Sequence, residues 1–563
     1  MSRLRAALSA QQLRLRENQI FLALTIVVGV LAGLSAVLFS LAITITTRTF
    51  FGLTPSAARL LLVPPAVSLV TGFLLHRYFP GVRGSGVPQT KAAFHLEDGA
   101  IAPSVPLGKF LTGVLCISSG HSIGREGPSV QIGAGLASVV GQWLRLPQAR
   151  VKELVPVGAA GALAAAFNTP VAAVIFTLEE IIGDMNAALL GSTVVASVAS
   201  VIVSRSLLGN EPLFHVPEYQ LVHPAELVAY AALGVVGGLV SLGFSQGLLR
   251  LRAAFRRLPP STRAFHPAMG GAAIGLLLLG TPQVMGVGYA SVDQVLNGGM
   301  LAGTMAVLLA AKFVGTTLSY SSGNAGGIFA PSLFMGAMLG GLVGTGVHYL
   351  APFPTGDIGA YALVGMGALF AGIIRAPLTS VFMIFEITQD YQILVPLMVA
   401  NLLAFSISRH YQPTPVYSAL LQQDGVHLPH AGAAGPGATQ TARGLMDDLL
   451  PVVPGHLAVS EAWARLQAAG APAVLVAGAA GALTAVIARS RLDAARAADG
   501  AARVGGLHAG IGPHVYPDHG LDVVIARLAE AGGVLPVVSR ADVGRLEGAV
   551  TERSVVAGVR PRE

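Results

Sequence analysis

Three short segments rich in glycine and proline interrupt long apolar stretches of the chain. They read GSGVP at 84–88, GREGP at 124–128 and GGIFAP at 326–331, and are named the first, second and third breaks. Glycine permits a sharp turn and proline suits the first turn of a helix, so each break predicts a helix that begins inside an apolar region. The free N–H groups and positive dipole ends of such helices attract anions. The three breaks together therefore indicate an anion site, whereas a single break is as well explained by a kink or by close helix packing.

Glu126 is the acidic residue of the second break, and it lies between an uncharged approach and an apolar stretch. A charged carboxylate is costly in such surroundings, which favour its protonated form. A carboxylate that fills an anion site when charged and leaves it when protonated would couple anions to protons. The alternative is a carboxylate that only accepts hydrogen bonds from the N–H groups of its own helix start.

Two further carboxylates, Glu179 and Glu180, follow the uncharged stretch 154–178. A carboxylate at a helix end is in most proteins solvated, or it binds a cation or a helix start. Glu179 has a counterpart, Glu386, in an internal repeat, and we interpret it as structural. Glu180 has no acidic counterpart, which leaves it free for an asymmetric role such as the transfer of protons.

The composition of the chain is that of an integral membrane protein. Of its 563 residues, 53% are apolar and 11% are charged, whereas a soluble domain carries about 25% charged residues. Several stretches without Asp, Glu, Lys or Arg reach the ~20 residues that a helix needs to cross the hydrocarbon core. These stretches are 18–47, 154–178, 185–204 and 313–356. One large soluble protein is thereby excluded, because it would have to bury all four at once.

Changes in composition divide the chain into four regions. Residues 1–19 form a basic segment whose arginines favour a cytoplasmic N-terminus. Residues 20–423 hold the long apolar stretches and form the predicted membrane domain. Residues 424–441 are rich in Gly, Ala, Pro and Thr and are typical of a linker, and residues 442–563 alternate short apolar strands with amphipathic helical stretches. The last region is predicted to be a soluble α/β domain.

Residues 20–208 and 222–423 are two related halves of the membrane domain. The stretch 157–179 aligns with 364–386, and the second break aligns with the third through the shared pattern Pro-Ser-x-x-x-Gly-Ala. A weaker match pairs the first break with GVG at 286–288, which is named the fourth break. Interrupted apolar segments in corresponding places are the signature of a repeat-built transporter, whose substrate site lies where the broken helices meet. The repeat alone does not say whether the halves are parallel or inverted.

The membrane domain resembles the CLC family of chloride channels and chloride/proton antiporters. Besides the first three breaks, the resemblance rests on RAPLT at 375–379, EITQDYQ at 386–392 and PVYSALL at 415–421. It implies an all-α polytopic membrane protein with the CLC fold, of about eighteen helices in two inverted repeats. It also implies a homodimer with one ion pathway in each protomer.

The resemblance further implies which residues bind chloride. They are Ser85, Arg125, Glu126, Gly127, Ile328, Phe329 and Tyr417. The hydroxyls of Ser85 and Tyr417 would coordinate the ion from the inner side, and the backbone amides of Ile328 and Phe329 would complete a central site. The amides of residues 125–127 would frame an outer site. Serine in the first break is also what chloride-preferring members carry, whereas nitrate-preferring members carry proline there.

The same resemblance assigns the proton pathway. Glu126 matches the external gating glutamate, which competes with chloride and carries protons. Glu180 matches the internal proton-transfer glutamate of many antiporters, which channels typically replace with an apolar residue. Lys109 matches a lysine that adds positive potential near the pathway.

The soluble tail resembles a pair of CBS modules at residues 442–498 and 504–560. Each has the order strand–helix–strand–strand–helix. The second module keeps Thr551 of the nucleotide-binding pattern, but Ser554 stands where the ribose-binding aspartate is expected. An adenine nucleotide is the ligand that the resemblance implies, and the missing aspartate argues against it. A regulatory or dimer-stabilising role is therefore expected for the tail.

These observations predict a multi-pass cell-membrane protein that exchanges chloride for protons, with the N-terminus and the tail in the cytoplasm. The alternative on the same scaffold is a passive voltage- or pH-gated chloride channel. A third hypothesis is a membrane-anchored nucleotide sensor whose tail is the functional part. No nucleophile–base pair and no metal-ligand spacing supports an enzyme, a metal site or a bound cofactor, and no basic patch interleaved with aromatic residues supports nucleic-acid binding.

Overall fold

The structure is a computed structural model, and the chain divides into two compact units, Met1–Leu428 and Pro429–Glu563. The residues that it describes are 2–184, 187–210, 214, 216, 222–428, 441–446, 450–478, 482–507, 510–540 and 542–559. Met1 and residues 429–440, which make up most of the predicted linker, lie outside the described residues.

The first unit is helical. Its helices are α1 (Ser2–Phe51), α2 (Ala57–Arg77), α3 (Val87–Leu96), α4 (Ser104–Ser118), α5 (Glu126–Trp143), α6 (Gln148–Phe167), α7 (Pro170–Phe176), α8 (Ala187–Leu208), α9 (Glu226–Arg257), α10 (His266–Gly280), α11 (Tyr289–Leu296), α12 (Ala302–Ser321), α13 (Phe329–Leu350), α14 (Ile358–Ile374), α15 (Pro377–Thr388), α16 (Leu394–Tyr411) and α17 (Val416–Gln423). A π-helical turn, Thr177–Ile182, continues α7. These seventeen α-helices and one π turn of the described residues agree with the predicted number. The basic N-terminal segment forms the start of α1 rather than a separate element.

Six helices of the described chain are long and apolar enough to cross a membrane. They are Gln19–Phe51, Ala57–Arg77, Leu189–Leu208, Glu226–Arg257, Ala302–Ser321 and Phe329–Leu350. Several others, among them α3 and α11, are too short to cross by themselves, because a helix rises only 1.5 Å per residue. The long and the short helices are both expected in a multi-pass membrane protein in which some helices begin or end within the apolar layer.

The two halves repeat the same packing. Helix α5 packs on α6 in the first half and α13 packs on α14 in the second, and in both pairs the backbones touch at a glycine crossing. A Cβ on Gly133 would collide with the carbonyl oxygen of Gly158, and a Cβ on Gly336 would collide with that of Gly365. These are corresponding residues of the repeat, so the small side chains that allow membrane helices to approach closely recur with it.

Reciprocal contacts join the halves to each other. The carboxylate of Glu179 accepts hydrogen bonds from the N–H groups of Leu378 and Thr379 at the start of α15 (3.2 and 2.9 Å). The carboxylate of Glu386 accepts them from Val171 and Ala172 at the start of α7 (3.0 and 2.7 Å). Each glutamate thus caps the helix of the opposite half, as a local two-fold relation between the halves requires. The contact agrees with the structural interpretation of Glu179.

The second unit is an α/β tail. Its elements are β1 (Val452–Pro454), α18 (Val459–Ala468), β2 (Ala473–Ala477), β3 (Leu483–Ala488), α19 (Arg489–Asp499), α20 (Leu521–Glu530), β4 (Val534–Ser539), β5 (Asp542–Thr551) and α21 (Glu552–Val559). Strand β1 pairs parallel with β2, which pairs antiparallel with β3. In the second module a single parallel bridge from Val515 to Val537 replaces the first strand, and β4 pairs antiparallel with β5. The predicted order strand–helix–strand–strand–helix is therefore complete in the first module, whereas the second has a bridge in place of its first strand.

Candidate functional site

The first three breaks meet at one place, as the sequence predicts. The N–H of Gly124 donates to the carbonyl oxygen of Gly327 (2.7 Å), and the N–H of Gly327 donates back to Gly124 (2.8 Å). The N–H of Gly84 donates to Asn324 (3.2 Å), and the N–H of Gly326 donates to Gly84 (3.0 Å). Gly124 and Gly327 are repeat counterparts that pair antiparallel, so the local two-fold axis passes between them.

Two helix starts face this junction. The second break leads into α5 and the third into α13, and each helix has proline as its third residue. The first N–H groups of a helix have no acceptor within the helix. Those of Glu126 and Gly127 in α5, and of Phe329 and Ala330 in α13, therefore lie at the junction with the positive ends of both helix dipoles. This arrangement attracts an anion without a fixed cation.

Ser85 and Tyr417 are fully buried side chains whose hydroxyl oxygens have no hydrogen-bond partner among the described residues. Ser85 packs against the second break, because a Cβ added to Gly127 would collide with its Oγ. A buried hydroxyl without a partner is destabilising by about 1–3 kcal/mol. Tyr417 lies on α17, which packs on α3, the helix that begins in the first break. Two such hydroxyls fit an acceptor that the protein itself does not provide, such as a halide ion.

The carboxylate of Glu126 is also fully buried. The phenol of Tyr289 donates a hydrogen bond to its Oε1 (2.6 Å), whereas Oε2 has no partner among the described residues. Oε2 lies against the Cα of Gly124, at the antiparallel bridge between the second and third breaks. The acid therefore lies inside the junction rather than in solvent. Tyr289 was not predicted from the sequence, although its position as the first residue after the fourth break was a usable signal.

The side chain of Arg125 contacts α1, α6 and Tyr289. Its guanidinium donates to the hydroxyl of Ser40 on α1 and to the carbonyl oxygen of Ala166 on α6 (3.4 Å). The central carbon of the guanidinium also lies 5.8 Å from the centroid of the Tyr289 ring, so the charge of Arg125 lies close to the residue that contacts Glu126.

Ile328 and Phe329, the predicted central pair, are buried, and the ring of Phe329 packs against other aromatic rings. Those rings are Phe167, Phe176 and Phe370, with centroids 4.9, 5.5 and 4.4 Å away.

Two buried lysines hold the first and fourth breaks. Lys109 donates to the carbonyl oxygens of Val82 (2.9 Å) and Gly84 (2.6 Å). Its repeat counterpart, Lys312, donates to Val284 (3.1 Å) and Gly286 (2.6 Å), which are the corresponding residues of the second half. Lys109 was predicted from the family resemblance to lie near the pathway. Lys312 was not predicted, although it aligns with Lys109 when the two halves are compared.

Glu180 lies on the π-helical turn after α7 and pairs with a cation. Its Oε1 accepts a hydrogen bond from Nζ of Lys91 on α3 (2.9 Å), and both side chains are largely buried. The neighbouring Glu179 points to α15, so the turn directs two consecutive carboxylates to different partners. A π turn inside an α-helix often marks a functional position. The described contacts of Glu180 are with Lys91 rather than with the breaks.

An open cavity of about 610 Å³ lies beside the first break. Its basic wall residues are Arg83, Arg252, Arg256, Arg263 and His266. Asp424 binds two of these arginines, at 2.7 and 2.5 Å, and Glu97 is the other acid in the wall. The excess of positive charge concentrates anions near the junction. Gln89 shapes the wall, because its side chain accepts from the N–H of Gly86 and donates to the carbonyl of Arg83 (both 3.0 Å).

The tail has a cavity of about 480 Å³ between its two modules, lined in part by Gly532, Gly533 and Thr551. Ser554 is engaged nearby in capping α21, since its N–H donates to Oγ1 of Thr551 (3.1 Å) and its hydroxyl accepts from the N–H of Thr551 (3.0 Å). The residue at the expected aspartate position therefore closes a helix start. No cluster of three or more metal-ligating side chains occurs in the described part of the chain.

The chain is similar to several known proteins. A putative chloride channel protein, ClcB-like, from Ralstonia nicotianae is 36% identical over 383 residues, which are 66% of this chain and 88% of the relative. The H(+)/Cl(-) exchange transporter ClcA from Vibrio campbellii is 31% identical over 412 residues, 70% of this chain and 88% of the relative. A slow cyanobacterial Cl-/H+ antiporter of known structure has a TM-score of 0.66 and 28% identity, and covers 72% of this chain and 97% of its own.

The protein-family model described as "Voltage gated chloride channel" matches residues 66–409 of the chain. This stretch contains the first, second, third and fourth breaks, and the solved antiporter structure extends the similarity to the whole fold of the membrane unit. The chain therefore belongs to the CLC family of voltage gated chloride channels and chloride/proton antiporters.

Proposed function

We propose that this protein carries chloride across the cell membrane in exchange for protons. The observation that carries the proposal is the junction of the breaks, where two helix starts meet, together with three buried polar groups that have no further partner in the described chain. These groups are the hydroxyls of Ser85 and Tyr417 and Oε2 of Glu126. Two hydroxyls can donate to an anion, and the carboxylate is an anion that belongs to the protein. The site thus suits chloride and an acid that competes with it.

In this proposal chloride is held by hydrogen-bond donors and dipoles only. The hydroxyls of Ser85 and Tyr417 face the ion from the inner side, and the N–H groups of Ile328 and Phe329 complete a central site. The N–H groups of residues 125–127 form an outer site, which the carboxylate of Glu126 fills when it is charged. Because no full positive charge touches the ion, the ion is bound weakly enough to leave again.

Protons would enter and leave through two carboxylates. Glu126, when protonated, no longer competes as an anion and yields its place to chloride. Glu180, which is held by Lys91, would receive protons from the opposite side. The Vibrio and cyanobacterial relatives are named as chloride/proton exchangers, which supports the same reaction in this chain. Exchange also agrees with the presence of glutamate rather than an apolar residue at position 180.

The second candidate is a passive chloride channel, since the Ralstonia relative is named as a putative chloride channel. A channel would use the same chloride site and the same gating carboxylate. It would not need Glu180 or its ion pair. The two candidates therefore differ in proton movement and not in the anion site.

The proposal is tested with purified protein in liposomes, by recording chloride efflux and proton uptake together. Glu126→Ala should abolish proton uptake and leave chloride efflux, because the blocking and proton-carrying group is gone while the donors remain. Glu180→Val should likewise lose proton uptake. Glu153→Ala is the matched control, since this partly exposed glutamate pairs with Arg150 (2.8 Å) away from the junction and should behave as wild type.

Proton uptake that persists in Glu126→Ala at the wild-type rate would remove the assignment of the gating acid. A wild-type protein that moves chloride without protons would instead support the channel.

We also propose an orientation in the membrane and a role for the tail. The arginines of residues 1–19 favour a cytoplasmic N-terminus by the positive-inside rule, and the tail would lie on the same side as a CBS pair. The strand–helix–strand–strand–helix order of the first module and the helix–strand–strand–helix order of the second support that identity. The capping role of Ser554 argues against a bound adenine nucleotide, so the tail would act in regulation or in stabilising a homodimer. Chemical cross-linking of the protein in membranes tests the homodimer.

A further inference from the structure

The phenol of Tyr289 holds the carboxylate of Glu126 by a hydrogen bond of 2.6 Å. Tyr289 is the first residue of α11 and directly follows the fourth break. The corresponding residue of the first break is Val87, so the repeat itself does not require a hydroxyl at this place. Tyr289 is therefore a further position, besides Glu126, at which the two halves differ in chemistry.

The backbone that carries Tyr289 is fixed on both sides. Gly286 and Gly288 have positive φ values of 57° and 78°, which residues other than glycine rarely adopt. Nζ of Lys312 donates to the carbonyl oxygens of Gly286 (2.6 Å) and Val287 (3.4 Å). The N–H of Gly286 in turn donates to the carbonyl oxygen of His121, just before the second break (3.1 Å). The fourth break is thus tied to the segment that carries Glu126.

The ring of Tyr289 is also oriented by its neighbours. The edge of Phe214 meets it at 5.2 Å between centroids, with the planes nearly perpendicular. The phenol therefore points at Glu126 from a preset position, with little rotamer entropy left to lose. A donor that is fixed in this way stabilises the one carboxylate position that it can reach.

We propose that Tyr289 is a positioning residue that latches the carboxylate of Glu126 inside the ion path. The inference rests on the proposed function, in which Glu126 alternates with chloride. While the phenol donates to Oε1, the carboxylate competes with chloride for the junction. When Glu126 leaves, the hydrogen bond breaks, and its free energy becomes part of the barrier to each turnover. The latch makes transport slow and keeps chloride from leaking past the acid.

The test is a double-mutant cycle on chloride flux in liposomes, with Tyr289→Phe, Glu126→Ala and the double variant. Removing one hydrogen bond to a carboxylate should raise the chloride flux of Tyr289→Phe about tenfold. Proton uptake should remain, since the acid is still present. On the Glu126→Ala background the same substitution should change chloride flux by less than about twofold, because nothing is left to latch.

Tyr361→Phe is the matched control. Its phenol also donates to a buried carboxylate, Oε1 of Glu226 (3.0 Å), but at the start of α9 and away from the breaks. Its chloride flux should equal that of the wild type. Thermal unfolding of each variant in detergent shows whether the chain remains folded, and the comparison uses variants with a cooperative transition.

The latch is overturned if Tyr289→Phe transports chloride at the wild-type rate, or if it accelerates flux equally with and without Glu126. The second result would mean that the ring acts as packing only. Failure of the latch is distinct from failure of the proposed function. Proton uptake in Glu126→Ala would reject the gating acid whatever Tyr289→Phe does, whereas an uncoupled Glu126→Ala with a silent Tyr289→Phe would reject the latch alone.

Discussion

At the scale of single residues, the ion pair of Glu180 and Lys91 shows how a charge is kept within the membrane unit. Their side chains are 5% and 13% exposed, and the charged atoms are 2.9 Å apart. Each charge by itself would be costly in apolar surroundings, and each offsets the other. The repeat counterpart of Glu180 is Ile387, which is buried. An apolar residue is therefore compatible with this position of the scaffold, and the carboxylate is an addition to it.

Lys91→Met is expected to destabilise the protein by about 3–5 kcal/mol, because it strands a buried carboxylate. The double variant Lys91→Met/Glu180→Val should recover most of that loss, since it leaves no charge behind. Denaturant unfolding in detergent measures both free energies. Arg150→Met serves as control, because its partly exposed pair with Glu153 should contribute only about 0–1 kcal/mol. A double variant as unstable as Lys91→Met would show that the pair is not what keeps Glu180 buried.

Among single residues, the sequence located those that lie in a short motif, and the roles predicted for them stay predictions. Ser85 and Glu126 lie in breaks whose glycine and proline spacing dictates a helix start, and both are buried beside that junction. Tyr289 and Lys91 were not predicted. The fourth break marks the position of Tyr289 but not its partner, and Lys91 lies in no pattern of the sequence. Their roles arise from contacts between distant segments, Tyr289 with Glu126 and Lys91 with Glu180.

At the scale of elements, two buried lysines, Lys109 and Lys312, stabilise the nonhelical backbone of the breaks and are named the lysine clamps. A break exposes carbonyl groups that neither a helix nor water satisfies inside the membrane. Lys109 and Lys312 are both fully buried and donate to equivalent carbonyls of the first and fourth breaks. One compact ammonium with three donors can satisfy several acceptors at once. The clamps therefore let a nonhelical segment persist next to the ion path.

Lys312→Met should lower the free energy of unfolding by about 1–3 kcal/mol for each carbonyl left without a donor. Lys109→Met should have a similar effect, because its contacts are equivalent. Thermal unfolding in detergent compares them with Lys152→Met, whose partly exposed lysine lies 3.8 Å from Asp98 and should have little effect. Equal melting temperatures for Lys312→Met and Lys152→Met would contradict the clamp.

The elements themselves were predicted well where the sequence has a strong period or a strong breaker. The breaks, the two halves and most of the strand and helix order of the tail follow from glycine, proline and apolar spacing, whereas the predicted first strand of the second module is a single bridge. The π-helical turn at Thr177–Ile182 was not predicted. The spacing from Pro170 to Glu179 equals that from Pro377 to Glu386, and α15 remains α-helical, so local sequence does not separate the two cases. Tertiary contacts such as Glu180 with Lys91 distinguish them.

At the scale of the whole first unit, the residues that hold the fold together recur in both halves, whereas the side chains proposed to act in transport occur in one half each. Helix starts, glycine crossings, lysine clamps and glutamate caps occur in corresponding pairs. The side chains of the proposed function do not occur in such pairs, since Glu126, Ser85 and Glu180 correspond to residues without a polar side chain. Those counterparts are Phe329, Val287 and Ile387. A symmetric scaffold with an asymmetric set of acids and hydroxyls can give protons and chloride different routes through the same junction.

The central claim is that chloride and protons move in fixed proportion, and the reversal potential of the current tests it most directly. Purified protein is inserted into a planar bilayer. The chloride concentration is equal on both sides of the bilayer, and the pH on one side is lowered. Coupled exchange predicts a reversal potential that moves from zero toward the proton equilibrium potential. A reversal potential that stays at zero, the chloride equilibrium potential, at every pH gradient would contradict the account.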